Sequence, residues 1–98
     1  MSAWTRLEGV LTPHARARMQ QRGIPAAVVE CLLDHGAVQH DHLGGRIVFF
    51  SRKSKQRLLS RGHLGREQIE KFRRAYLVLT GEGQVRTVGW RYQRIKRH

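Results

Sequence analysis

The sequence has 98 residues, of which 19 are Lys or Arg and 7 are Asp or Glu, giving a formal net charge of +12. That length admits one domain with a single modest core, and 40% hydrophobic residues suffice to build it and exclude intrinsic disorder. No apolar run approaches the roughly 18–20 residues of a membrane span, and the lone Cys31 excludes a disulfide framework or a multi-cysteine zinc site.

Residues 1–10 read as a lead-in with little periodicity and no signal-peptide core, so we expect a cytoplasmic protein with no membrane partner. Thr12 followed by Pro13 marks a helix start, and the spacing predicts a helix over 13–22 stopped by Gly23. Ala15, Met19 and Ile24 supply its apolar contacts, while His14, Arg18 and Arg22 recur every four residues on another face. A second helix is expected from Pro25 to Gly36, with Val28, Val29, Leu32 and Leu33 as its buried stripe. The pattern then turns to strands. Residues 37–42 and 46–51 flank a Leu43-Gly44-Gly45 connection, and Ile47-Val48-Phe49-Phe50, apolar on both faces, reads as a central strand. Residues 52–65 are polar and basic, with room for one helical turn at 55–60. A short helix is expected over 66–72, with Ile69 and Phe72 inward. Strands over 75–80 and 85–92 enclose Gly81-Glu82-Gly83-Gln84, the strongest hairpin signal in the chain. In the last strand, strict alternation puts Val85, Thr87, Gly89 and Arg91 on one face. Arg86, Val88, Trp90 and Tyr92 take the other, with Trp90 in the core beside Val88. The expected fold class is α+β: two N-terminal helices packed on a roughly four-stranded antiparallel sheet over 11–95, with a basic tail at 96–98.

The charge is uneven. Up to Ser51 there are five cations and four acids, a net +1; from Arg52 onward there are fourteen cations and three acids, a net +11. Arginine outnumbers lysine fifteen to four, and a planar guanidinium that pairs with phosphate in bidentate fashion suits a polyanionic partner. Catalytic classes fall away for lack of their motifs: there is no Gly-rich phosphate loop, no H-E-x-x-H and no G-x-S-x-G. Asp34 and Asp41 are the only aspartates, too few and too far apart for two-metal nuclease chemistry. His35, His40 and His42 form the one metal-like cluster, but they read better as an exposed, polar, histidine-rich hairpin, and no metal or small-molecule cofactor is called for. Cys31 falls beside the apolar stripe of the second helix and reads as a small buried hydrophobe.

His14 carries more. It opens its helix with Arg18 and Arg22 on the same face, and neighbouring positive charge disfavours an imidazolium. An unprotonated imidazole can accept a ribose 2′-hydroxyl proton while arginines stabilise charge growing on the phosphate. The alternative is that His14 only holds the start of its helix. Two basic runs supply further phosphate contacts: Arg52, Lys53, Lys55 and Arg57 after the central strand, and Arg91, Tyr92 and Arg94 after the last.

The segment L-T-P-H-A-R-A-R-M-Q-Q-R-G-I-P (Leu11 to Pro25) resembles the opening signature of a small bacterial domain family of unknown function. V-F-F-S-R-K-S (Val48 to Ser54) and V-R-T-V-G-W-R (Val85 to Arg91) are similar to that family's strands. The family is grouped by similarity with the barnase–EndoU–colicin–RelE fold, which includes RelE- and BrnT-like toxins. The resemblance implies two helices on a four-stranded antiparallel sheet, metal-independent RNA cleavage, and a groove between the first helix and the C-terminal strands. His14, Arg18 and Arg22 match the helical motif, and Thr87 and Arg91 match polar positions of the last strand. The expectation is therefore a toxin-like endoribonuclease in which His14 acts as base or acid, Arg18 and Arg91 clamp the reacting phosphate, and Tyr92 stacks a base or shuttles a proton. Arg22, Arg52, Lys53, Lys55, Arg57, Arg86, Thr87 and Arg94 would bind the strand. The partner is RNA or a ribosome, with an acidic antitoxin as a possible second partner. Two alternatives use the same surface: a non-catalytic RNA- or ribosome-binding module, and a basic domain that docks an acidic protein.

Overall fold

Thr12 begins the ordered architecture by accepting the Ala15 N–H on its hydroxyl at 3.1 Å, with Pro13 in the first turn. Helix α1 runs from there over Pro13–Arg22. Gly23, at φ +64, turns the chain out of it, and the Ile24 N–H closes the end by donating to Met19 O at 2.9 Å. The computed structural model of the protein describes residues 6–41, 44–61 and 64–91. Helix α2 covers Ala26–His35, strand β1 Ala37–His40 and strand β2 Arg46–Phe49. Helices α3 (Arg52–Arg61) and α4 (Arg66–Phe72) follow, then strands β3 (Ala75–Leu79) and β4 (Val85–Trp90).

The strands form one antiparallel sheet in the order β1-β2-β3-β4, so the central position expected for Ile47–Phe50 holds. Val48, Leu77 and Val88 are register partners on one face and are all buried. They cluster with Ala15 and Met19 of α1, Val28, Val29 and Leu32 of α2, Leu58 of α3, and Ile69 and Phe72 of α4. The helices therefore share one side of the sheet. The other side carries Ile47, Val78 and Thr87, and beside them Phe49, Tyr76 and Gly89, none of which belongs to that core.

Three features depart from the sequence expectation. The basic stretch after β2 is a full helix, not a single turn. Ser51 and Ser54 cap it reciprocally: the Ser54 N–H donates to Ser51 Oγ at 3.2 Å and the Ser51 N–H to Ser54 Oγ at 3.3 Å. Only Ser54 and Leu58 of its ten residues are buried, so its apolar stripe is too narrow to stand out. The second departure is Val85, which is fully buried with Val88 rather than facing the way of Thr87. A bulge between β3 and β4 pairs Val78 with Thr87 but Leu79 with Val85, so Arg86 is the extra residue and the alternation slips by one. Third, the lead-in takes part in the fold. Leu7 is 1% exposed, and Val85 donates to Val10 O at 2.7 Å while Thr12 donates back to Val85 O at 3.0 Å. Arg6 forks onto Asp34 of α2, with Nη1 to Oδ2 at 2.7 Å, and Asp34 raises the guanidinium pKa further. Both side chains are exposed, so this pair contributes only about 0–1 kcal/mol.

Gly36 links α2 to β1 where a Cβ would collide with Val48 Cγ1 and Leu32 O. Its φ of −67 is ordinary, so the requirement is for space. Gly36→Ala is expected to cost about 1–3 kcal/mol by overpacking, read as a lowered denaturation midpoint at unchanged slope. Cys31 is buried on α2, and burial first, then Asp34 and Glu30, raises its thiol pKa. The unfolded chain thus loses this proton at a lower pH than the native one. Stability should fall as pH rises above about 8.5 toward the raised native value. Urea titrations of the protein and of Cys31→Ala check this: the two midpoints should converge with rising pH.

Candidate functional site

Helix α1 lies along the outer edge of β4, and its polar side chains stitch that edge. The Thr12 hydroxyl donates to Arg86 O at 3.1 Å. At the other end of the helix, Arg22 Nη1 donates to Val88 O at 3.0 Å, and the Trp90 indole N–H donates to Arg22 O at 2.9 Å. Trp90 stacks on Phe72 with centroids 5.9 Å apart, so its ring belongs to the packing between sheet and helices. Helix and strand run in the same direction as a result. The ridge His14–Arg18–Arg22, roughly 12 Å long at 1.5 Å per residue, follows the strand.

His14 is exposed. Its Nε2 accepts a hydrogen bond from Arg18 Nε at 3.3 Å, and Arg18 Nη1 donates to Gln21 Oε1 at 3.2 Å. The i, i+4 spacing read from the sequence has become a direct imidazole–guanidinium contact. Arg22 goes further than its neighbours. Its guanidinium passes over the edge of β4 onto the sheet face away from the helices, where Nη1 occupies the space a Cβ at Gly89 would need. The Tyr76 ring lies against the same vacancy, with Cε1 3.1 Å and Cζ 3.3 Å from it.

Arg91 sits beyond the end of β4. Its backbone N–H donates to Arg74 O at 2.8 Å, and its Nη2 donates to Phe50 O at 3.1 Å and to Arg73 O at 3.4 Å. The guanidinium lies over the Phe49 ring, 5.6 Å from its centroid, while Nε is buried without a hydrogen-bond partner. Burial lowers its pKa, and the charges of Arg74 and Arg73 lower it further. Phe50 leads directly into the capped turn that begins α3, so the exposed Arg52 and Lys53 follow two and three residues after the carbonyl that Arg91 holds. The first turn of α3 has no acidic residue, which places cations where the helix dipole favours negative charge. Lys55 is half-buried and Arg57 exposed on the same helix.

The expected residues therefore form two groups with Arg22 between them. His14, Arg18, Thr12 and the exposed Arg86 lie at the Val85 end of β4; Arg91, Arg52 and Lys53 lie at the other. Four residues of strand separate Arg86 from Arg91, five steps of the chain or roughly 17 Å. The C-terminal cations do not converge on His14 itself; Arg22 and Thr87, the latter half-buried on the sheet face opposite the helices, span the interval. Tyr92 and Arg94 lie outside the described residues, as does His42 of the histidine cluster. Among the described residues no group of three or more His, Cys, Asp or Glu is placed to hold a metal ion.

Sequence reasoning missed Tyr76, Phe49 and Gly89 as site residues. Two signals for them were present. Tyr76 alternates with the core residues Ala75 and Leu77, so it had to face away from the helices, and a glycine inside a strand marks the close approach of another group. Compared with known proteins, the chain matches no family model, no curated sequence and no solved structure.

Proposed function

We propose that this protein is a toxin-like, metal-independent endoribonuclease that holds a single RNA strand along α1 and β4. The observation that carries this reading is the ridge itself. An exposed imidazole in contact with one guanidinium is followed along the same strand by Arg22 and Arg91. His14 Nε2, the acceptor in the bond with Arg18, takes the proton of a 2′-hydroxyl. The 2′-oxygen attacks the adjacent phosphorus, and the 5′-oxygen leaves, protonated by water, to give a 2′,3′-cyclic end. Arg18 turns from His14 to the phosphoryl oxygens, and with Arg22 it stabilises the charge that grows there. Arg91, Arg52, Lys53 and Arg57 neutralise phosphates on one side of the reacting bond, and Arg86 on the other.

Cleavage of a short single-stranded RNA in the presence of EDTA, with cyclic-phosphate ends on the products, is the expected result. RNA binding without cleavage would instead make the same surface a non-catalytic RNA- or ribosome-binding module. An acidic protein such as an antitoxin would compete for these cations, because it presents the same charge complement as the RNA backbone. The compartment that supplies this substrate is the cytoplasm, and no described helix is long and apolar enough to cross a membrane.

A further inference from the structure

We infer that Tyr76 and the notch at Gly89 form a nucleobase subsite on the sheet face opposite the helices. This inference rests on the reading that the ridge binds RNA. Three observations meet at this point. Tyr76 is half-buried on a face that contributes nothing to the helical core. Its cross-strand partners are Phe49 on β2 and Gly89 on β4. One side of the ring is thus flanked by an aromatic floor and the other by a residue with no side chain.

A guanidinium stands at each of those two sides. Arg22 lies at Gly89, pinned through Val88 O, and Arg91 lies over Phe49, pinned through Phe50 O and Arg73 O. Neither makes a carboxylate contact in these bonds, because every acceptor is a backbone carbonyl. An aromatic ring between two fixed cations, neither paired with a carboxylate among the described residues, matches one nucleotide of a single strand: a base on the ring and a phosphate on either side. An aliphatic or acidic peptide would use the charges but leave the ring without a planar partner. A membrane headgroup would use them without requiring the notch.

Gly89 sets the subsite. Any Cβ there would push Arg22 Nη1 out of the space it occupies beside the ring and off Val88 O.

The test uses 2′-O-methyl oligouridylate, which cannot react by 2′-attack, and the same strand with bases removed one at a time. Intact protein should bind the full strand in a salt-dependent way and lose about 5- to 150-fold in affinity when one particular base is missing, the range one stacked base is worth. Tyr76→Phe should keep that discrimination. Tyr76→Leu should bind the full strand as weakly as intact protein binds the strand lacking that base. Gly89→Ala should bind the full strand more weakly and no longer distinguish it from the strand lacking that base. If unaltered protein binds base-free and intact strands equally, the subsite is overturned while RNA binding stands. If it binds neither strand at low salt, the reading of the ridge fails instead. The base-removal series needs no variant, so misfolding cannot mimic either result.

Discussion

Replacing His14 by alanine is expected to lower the rate of RNA cleavage by about 10²–10⁴-fold, the usual worth of one positioned general base, while leaving RNA affinity within about twofold. The side chain is exposed and contributes nothing to the core, so the variant should fold and unfold as the parent does. Helix α1 keeps its start, because the cap belongs to Thr12 and the following turn to Pro13. Arg18 loses its imidazole partner but keeps Gln21. A drop in rate at constant affinity thus isolates proton transfer from strand binding. The same substrate carrying 2′-O-methyl groups should resist the unaltered protein altogether, since no 2′-proton is there to remove. Cleavage by His14→Ala at the parent rate would remove the imidazole from the mechanism and leave the arginines as the whole of it.

The residues that built this argument differ in how openly the sequence displayed them. Helix α1 was legible to the residue, because Thr12, Pro13 and Gly23 each act through local backbone chemistry that does not depend on the rest of the fold. The strands β2, β3 and β4 were legible for a related reason: apolar runs and a glycine-rich turn are short-range signals. Helix α3 was not. Five of its ten residues are Lys or Arg, and what makes it a helix is a pair of serines bonded to each other's backbone, with a single leucine in the core. The bulge at Arg86 was equally hidden, since it shows only when two strands are laid in register. The ridge of α1 followed from helical spacing, whereas the approach of Arg22 to Tyr76 did not. That approach depends on which edge of the sheet α1 lies along, and on a guanidinium crossing a strand at its one glycine.

The salt dependence of RNA affinity decides whether the +12 charge is organised or diffuse. If Arg18, Arg22, Arg52, Lys53, Arg57, Arg86 and Arg91 each neutralise one phosphate of a single strand, the logarithm of affinity should fall with the logarithm of salt at a slope of about −5. Between about 50 and 200 mM salt that amounts to a loss of roughly 10²–10³-fold. Single substitutions then separate position from charge. Lys53 is exposed at the start of α3, where the cap is made by Ser51 and Ser54, so Lys53→Ala should flatten the slope by about 0.7 without altering stability. Arg6 bears the same charge but forks onto Asp34 of α2, away from the ridge, so Arg6→Ala should leave the slope unchanged. Equal effects from the two would mean that the strand responds only to the overall field of the protein. Unequal effects would trace its path past the turn that begins α3, next to Arg91, along β4 and up to His14. The same series run at the pH of cleavage then ties that path to the reacting bond. A cation that flattens the slope and also lowers the rate lies at the scissile phosphate, and on this geometry those cations are Arg18 and Arg22.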